Sequence, residues 1–278
     1  MIRTLEHPGP AAPDRIAALP CAAIPLELPL SAGMPLLETL SRAAEAAGVS
    51  AAWLELADAP MARLDYLRPG PDRSGVHAAW YDGPHKADGA SLIQLGLHLG
   101  RRDGAPWLHG HGLWAGSRGI GGGHVVPDGA VLAEPATAHG WALDGARLEV
   151  APDPETRFDL FQPVATEAVS SADAVLVTLR PNQDITEALE AAAAAHGITE
   201  GTLQGLGSLV APRFLQGSED SFATEVLITE GWIEDGRAYL NAAVVGFGGR
   251  VSVAPLARGG CGVCVTCEVL IRRGRAPS

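Results

Sequence analysis

Lysine is nearly absent from this sequence, because Lys86 is the only lysine among 278 residues, and the formal net charge is −12. An acidic surface repels phosphate backbones and anionic lipids, so we expect neither nucleic acid nor a membrane as a partner. No apolar run approaches the roughly 20 residues of a membrane-spanning helix, and residues 1–8 lack the charged-then-apolar layout of a signal peptide. The sequence therefore predicts a cytoplasmic globular protein with one large or two ordinary domains.

Cysteine is scarce, with four residues in the chain. Cys21 stands alone, whereas Cys261, Cys264 and Cys267 lie close together. Their C-x-x-C-x-x-C spacing is one that zinc or an iron–sulfur cluster can use. On a strand, however, side chains alternate, so Cys264 would point away from the other two, and no fourth ligand lies nearby in the sequence. Reduced cytosolic thiols are the simpler interpretation.

Three histidines form the most informative pattern. His109 and His111 lie two residues apart within residues 106–114, and His124 follows the glycine run 121–123. On a strand, residues two apart share a face, and a tight glycine turn could bring the third imidazole back towards them. Three imidazoles without a fourth protein ligand are typical of an open zinc site. In the alternative interpretation, the first two are ordinary polar residues of a sheet and the third caps a turn.

The apolar pattern predicts two helices, over residues 34–48 and 184–196, with Asp184 as the N-cap of the second. Residues 22–30 contain prolines and are predicted to form an edge strand. Residues 65–90 are rich in glycine and proline and are predicted to form a long surface loop or hairpin. Further strands are predicted at residues 49–56, 91–99, 106–114, 130–143, 174–180, 201–205, 224–233, 238–245 and 263–272.

The two halves of the chain repeat weakly. Gly48 at the end of the first predicted helix lines up with Gly197 at a shift of 149 residues, whereas His109 lines up with Asn241 at a shift of 132. The 17 additional residues of the first half fall in the loop 65–90, as expected if both halves share one fold. Because this loop is long and accompanies the histidines, we expect it to wall the metal pocket and to help hold a small anion.

The second half lacks the histidine pattern. At the three corresponding positions it carries Asn241, Ala243 and Pro255, none of which is a good zinc ligand. The first half alone is therefore predicted to hold the metal. His139 lines up with Glu268, so a titratable residue recurs near the end of each half. A surface histidine is the first interpretation of His139, with a fourth ligand or an acid–base group as alternatives.

Short motifs in both halves match the pattern of a known family. The second half contains Leu179-Arg-Pro-Asn-Gln-Asp184, Gly205-Leu-Gly-Ser208, Glu225, Asp235-Gly236 and Thr266-Cys-Glu268, and the first half contains Asp103-Gly104, His109, His111, Gly122-Gly-His124 and Thr137. With these motifs the chain resembles the plants-and-prokaryotes-conserved (PPC, also PCC) domain family, whose prokaryotic members are labelled PD1-like DNA-binding proteins and have no settled function. The first half departs from the L-R-x-G-E-D and G-x-G-S motifs of the family, and the second lacks the histidines.

The resemblance implies an α+β fold of two tandem PPC-like domains, each a mainly antiparallel β-sheet packed with a helix. We expect an N-terminal arm over residues 1–21, a first domain with the metal site over 22–150, a linker over 151–172 and a degenerate second domain over 173–275. The resemblance also implies a metal ion, zinc, at three histidine positions: His109, His111 and His124. It further implies a homo-oligomer, usually a trimer. The family fold is similar to that of acetolactate decarboxylase, which also uses three histidines on zinc.

The first functional hypothesis is a metal-dependent lyase or hydrolase acting on a small carboxylate or carbonyl compound. A zinc ion with an open position polarises carbonyl groups, and arginines can clamp a carboxylate. The candidate helper residues are His98, Arg101, Arg102, Arg118, Glu134 and His139. For each arginine, a solvated turn residue is the simpler interpretation.

The second hypothesis is a non-catalytic regulatory or DNA-associated binding protein. The chain ends with residues 272–277, Arg-Arg-Gly-Arg-Ala-Pro, which is one alanine away from the R-G-R-P core of an AT-hook. Because the net charge is negative, we interpret this segment as a basic tail.

The third hypothesis is a structural role in which the degenerate half completes an oligomer.

Overall fold

The computed structural model describes residues 2–167, 169 and 171–274. Within these residues the chain forms two α-helices and sixteen β-strands that are almost entirely antiparallel, in agreement with the predicted α+β class. The helices are α1 (Leu36–Ala46) and α2 (Ile185–Ala195). The strands are β1 (Ile16–Leu30), β2 (Ala52–Ala57), β3 (Met61–Gly70), β4 (Trp80–Lys86), β5 (Ser91–Arg102), β6 (Ala105–Gly116), β7 (Gly119–Leu132), β8 (Ala136–Asp144), β9 (Ala146–Pro152), β10 (Asp159–Ala165), β11 (Ala174–Leu179), β12 (Gly201–Val210), β13 (Thr224–Glu234), β14 (Arg237–Val245), β15 (Val251–Pro255) and β16 (Gly262–Arg273).

Both predicted helices are present with the expected ends. Asp184 caps α2, because its carboxylate accepts a hydrogen bond of 3.1 Å from the backbone N–H of Glu187. Gly48 follows α1 and Gly197 follows α2, each with a positive φ angle that glycine adopts without strain. In the described part of the chain, no helix is long and apolar enough to cross a membrane.

The strands form one sheet in which the two halves of the chain meet at β1. The order along the sheet is β15-β14-β13-β12-β16-β11-β1-β8-β2-β5-β6-β7-β3-β4, and β9 and β10 pair beside it. Residues 16–21 of β1 pair with β11, and residues 22–30 pair with β8. Among the described residues, residues 22–30 pair with β8 alone, so this part of β1 is an edge strand as predicted, although the whole strand joins β11 to β8. Prolines such as Pro25 are tolerated in this part of β1, because proline in a sheet is confined to strands that have an unpaired side.

The segments predicted as arm and linker contain strand structure. Residues 2–15 form no helix or strand, but β1 begins at Ile16 and so includes the end of the predicted arm. β10 lies inside the predicted linker 151–172 and pairs with β9. The polar, proline-bearing composition of this segment did not indicate a strand, because the burial of β10 depends on its partner strand. The domain boundaries remain a prediction.

Hydrophobic side chains form one core within each half and a third core between them. The third core combines Trp53 and Leu113 of the first half with Leu206, Leu227 and Leu270 of the second. Burial of these apolar side chains favours the packing of one half on the other. As a result, β5, β6 and β7 lie against β12, β13 and β14.

Candidate functional site

Strand β6 carries two histidines on one face, as the alternation of side chains predicted. His111 pairs with His124 on β7, and His109 pairs with His98 on β5. The side chain of His111 is buried, and those of His109 and His124 are half-buried. Directly opposed residues of antiparallel strands are neighbours on the same face, so the hairpin register brings the third imidazole to the first two.

The glycine run before His124 does not form the predicted turn. The turn between β6 and β7 lies at residues 117–118, and residues 121–123 are inside β7. A Cβ atom at Gly122 would lie 2.9 Å from a methyl group of Val245, which belongs to the second half. Glycine at this position therefore allows the two halves to approach closely beside the histidines.

The three imidazoles converge. One ring nitrogen from each of His109, His111 and His124 lies within 4.8 Å of the others. His109 Nε2 and His111 Nε2 are 3.2 Å apart, and two ligands of a tetrahedral zinc ion with bonds of 2.0–2.1 Å would be roughly 3.3 Å apart. His124 Nδ1 is buried without a hydrogen-bond partner among the described residues, which is costly unless a ligand uses it. This donor set fits a metal ion.

A backbone carbonyl fixes the tautomer of His111. His111 Nδ1 lies 2.9 Å from the carbonyl oxygen of Val226 on β13. A carbonyl oxygen only accepts hydrogen bonds, so Nδ1 carries a proton, and a metal ion at the cluster would bind His111 through Nε2. Orientation of a histidine by a backbone carbonyl is typical of metal sites.

Two carboxyl groups of the second half face the histidines. Glu225 Oε2 on β13 lies 3.0 Å from His111 Nε2, and Glu268 Oε2 on β16 lies 3.1 Å from His109 Nδ1. The second contact lies outside the direction of a hydrogen bond, so Glu268 Oε2 has no hydrogen-bond partner among the described residues. The motifs had singled out both glutamates, but no sequence signal placed them at the histidines.

Burial favours the neutral form of two histidines. Burial and the neighbouring His111 lower the pKa of His109 to about 3. Burial, His109 and His111 lower the pKa of His124 well below its usual range. Neutral imidazole is the form that binds metals. Both side chains are therefore ready to act as ligands near neutral pH.

The two carboxyl groups respond differently to their surroundings. Burial raises the pKa of Glu268 to about 7. Burial also acts to raise the pKa of Glu225, but the charge and hydrogen bond of His111 outweigh it and lower that pKa. Burial likewise acts to lower the pKa of His111, and Glu225 together with a backbone carbonyl outweighs it and raises that pKa. Within this cluster, some pKa values are raised and others are lowered, which is characteristic of functional sites.

The histidines line a cavity of about 180 Å³ between the two halves. Five aromatic side chains contribute to its wall: Trp80, Tyr81, Trp107, Phe158 and Phe161. The ring centroid of Tyr81 lies 5.3 Å from that of His124, and the centroid of Phe161 lies 6.3 Å from that of His109. The cavity thus combines polar ligand atoms at one end with aromatic walls.

Segments outside the repeated elements supply much of this wall. Residues 65–90 form the hairpin of β3 and β4, and Tyr81 places this hairpin beside the histidines. The predicted position of the loop at the pocket is therefore confirmed. The predicted linker also contributes to the wall, through Phe158 and Phe161, and this contribution was not predicted. The aromatic character of these two residues was the sequence signal that could have indicated this contribution.

Most of the predicted helper residues lie away from the cavity. His139 is exposed and lies 3.4 Å from the carboxylate of Glu27. Arg101 donates a hydrogen bond of 2.8 Å to a turn carbonyl, and Arg118 and Glu134 are exposed. The surface interpretation of His139 and of these two arginines is confirmed.

Two predicted helpers do contact the site. His98 is completely buried, and its Nε2 donates a hydrogen bond of 3.2 Å to the backbone carbonyl of Glu268. Arg102 lies in the cavity wall, where it donates to Asp159 at 2.9 Å and lies over the ring of Trp107 at 5.2 Å. His98 therefore supports a cavity residue, and the guanidinium of Arg102 is already paired.

The remaining motifs lie beside the site or outside the described residues. Cys264 lines the cavity, whereas Cys261 and Cys267 belong to the core of the second half, as alternation predicted. All four cysteines are buried free thiols. Arg272 packs over the ring of Trp141 at 3.4 Å, and residues 275–277 of the predicted basic tail lie outside the described residues.

The fold and the site define a mainly antiparallel β protein with a buried histidine cluster that could bind a metal ion. No protein-family model and no curated protein matches the chain. A plant- and prokaryote-conserved (PPC) protein from Pyrococcus horikoshii is similar in structure, with 18% identity and a TM-score of 0.37, over 50% of this chain and 95% of its own. A metal-containing protein from Archaeoglobus fulgidus matches with 16% identity and a TM-score of 0.37, over 58% of this chain and 99% of its own. A candidate DNA-binding protein from Ralstonia eutropha JMP134 matches with 16% identity and a TM-score of 0.37, over 49% of this chain and 89% of its own.

Proposed function

We propose that this protein is a zinc-dependent lyase or hydrolase that acts on a small carbonyl-bearing substrate. One observation carries the proposal: three converging imidazoles and two buried carboxyl groups share one aromatic-walled cavity. Buried titratable groups that converge in a cavity are typical of active sites. A purely structural zinc site has four protein ligands and leaves no room for a substrate, whereas this site adjoins open volume.

The residues have distinct roles in this proposal. His109, His111 and His124 would hold the ion, which when bound supplies Lewis acidity to a carbonyl group. Val226 keeps Nε2 of His111 directed at the centre of the cluster. Glu225 lies within hydrogen-bond reach of that nitrogen, so its carboxylate is placed to take up or return a proton at a substrate bound beside it.

The architecture of the site supports a particular domain arrangement. We propose two tandem PPC-like domains, over residues 22–150 and 173–275, with the metal in the first and two facing carboxylates from the second. The motif resemblance and the recurrence of a helix before a set of antiparallel strands support this arrangement. By the same resemblance we propose a homotrimer, which analytical ultracentrifugation of the intact chain would test.

Elemental analysis of the protein purified without a histidine tag tests the proposal. We expect about one zinc ion per chain, and we expect His109→Ala to remove it, because two imidazoles seldom hold zinc alone. Asn241→Ala is the matched control in the second half, since the amide of Asn241 donates to Glu230 at 2.8 Å on the exposed side of β14. Wild-type protein that carries no zinc and cannot be loaded with it, or equal metal loss in both variants, would refute the assignment.

A further inference from the structure

We propose that the cavity selects an uncharged, planar carbonyl compound with an aromatic ring, such as an aryl amide, ketone or aldehyde, over a carboxylate of the same shape. This inference rests on the proposed function, because it names the substrate class of the same site. It narrows the sequence-based expectation of a small carboxylate or carbonyl compound. Two features of the cavity carry it: the aromatic rim and the distribution of charge.

The rim of the cavity is built from stacked rings. Trp80 and Phe158 stack with centroids 5.1 Å apart at an interplanar angle of 22°, and His77 packs against both at 4.3 and 4.6 Å. Trp80 remains 42% exposed, so one edge of this cluster is open to solvent. Flat apolar groups gain contact energy from such surfaces, whereas small aliphatic groups cover less of them.

The inner wall continues the aromatic surface to the histidines. The ring of Tyr81 lies beside that of His124, and the ring of Phe161 lies beside that of His109. A ligand whose carbonyl group reaches the histidine cluster would therefore place its ring beside these aromatic side chains. The wall offers shape and dispersion contacts, which favour a planar ring.

The charges of the wall oppose an anion. In the part of the chain that the structure describes, Arg102 is the only lysine or arginine in the cavity wall, and Asp159 already pairs with it. The carboxyl groups of Glu225 and Glu268 lie at the inner end. The carboxylate of Glu225 would offset part of the positive charge of a bound zinc ion, and Glu268 would offset more of it when ionised, so less positive charge is left for a ligand carboxylate. A ligand anion here would also meet like charges within a few ångströms in a poorly solvated space.

Benzamide and benzoate form a matched pair for the test, because they have the same shape and differ in charge. Isothermal titration calorimetry on the zinc-loaded full chain measures both affinities. We expect benzamide to bind at least roughly tenfold more tightly than benzoate. Trp80→Ala should weaken benzamide binding roughly five- to tenfold through the loss of one aromatic contact. Trp232→Ala, which removes a half-buried tryptophan stacked on Tyr239 away from the cavity, should leave the affinity within about twofold.

The outcomes separate this inference from the proposed function. Benzoate binding as tight as benzamide binding, no heat from either compound, or an unchanged benzamide affinity in Trp80→Ala would overturn the inference while the zinc content stands. A chain that holds no zinc overturns the proposed function, whatever the calorimetry shows. Circular dichroism of both tryptophan variants verifies that each retains the fold.

Discussion

The strands of residues 91–132 supply imidazoles to the central cavity, whereas the strands of residues 224–273 supply carboxyl groups. Both regions present a β-sheet face to the third core, and both follow a helix in the chain. At the position of His109 the second region has Asn241, whose side chain points to Glu230 and away from the cavity. The region without the histidine pattern is therefore part of the site, because it positions Glu225, Glu268 and the carbonyl of Val226.

This comparison explains why the glutamates and the histidines belong to different parts of the chain. In the proposed site, the imidazoles come from one half of the chain and the carboxyl groups from the other. The two halves of the sheet pack on each other, and each contributes one face to the space between them. The hairpin 65–90 of the first half, with Trp80, and the predicted linker, with Phe158, then close that space with aromatic rings.

Separation of the two halves of the chain should have the largest effect on folding and solubility. If residues 1–166 and 173–278 are expressed as separate chains, each fragment exposes its side of the third core, and β1 loses its pairing with β11. We expect aggregates or swapped dimers, because an exposed apolar face of this extent drives association. Size-exclusion chromatography and circular dichroism of each fragment measure this. Two soluble, fully folded fragments that do not associate would show that the regions are independent.

Glu225→Gln tests whether the second region acts on the metal of the first. The substitution keeps the shape but removes the charge 3.0 Å from His111 Nε2. We expect zinc affinity to fall roughly 10- to 100-fold, as for other groups that support metal ligands. Competition with a chromophoric chelator measures the affinity. Glu230→Gln on the same strand is the control and should leave the zinc affinity unchanged. An equal zinc affinity in wild type and both variants would show that the second region does not support the metal ligands.

Asp153→Asn should have a smaller, pH-dependent effect on stability, because Asp153 connects the predicted linker to the second half of the chain. Asp153, buried after β9, accepts hydrogen bonds from Thr156 and from Arg180, which follows β11. Burial acts to raise the pKa of Asp153, but these hydrogen bonds outweigh it and lower that pKa. The stabilisation is therefore complete above the unfolded-state pKa and is lost as the pH falls through the lower folded-state pKa.

We expect Asp153→Asn to reduce the free energy of unfolding by about 1–3 kcal/mol at pH 7. The difference from wild type should shrink below about pH 4, where the carboxylate of the unfolded state becomes protonated while that of the folded state is still ionised. Urea denaturation across this pH range measures both values. Asp159→Asn removes an exposed ion pair with Arg102 and should cost less than about 1 kcal/mol. A difference that persists undiminished at pH 3 would contradict the assigned role.

Much of the fold could be predicted because it depends on local patterns. The spacing of apolar residues predicted both helices, and Asp184 predicted the start of the second. The strands β5, β6 and β16 followed from alternation and turn residues. The placement of β1 and β10 could not be predicted, because the burial of their side chains depends on partner strands distant in the sequence.

The sequence by itself determined that His109 and His111 share a face, because side-chain alternation is a property of the strand alone. It also predicted that His124 returns to these histidines, but the turn that brings it back lies at residues 117–118 and not in the glycine run 121–123. Only the tertiary structure decided that Glu225 and Glu268 meet these histidines, more than a hundred residues away along the chain. That meeting depends on how the two halves of the sheet pack over the third core, where distances are set by side-chain volumes and by Gly122 at the contact. No local pattern encodes the distance between two faces that come together only when their apolar surfaces are buried.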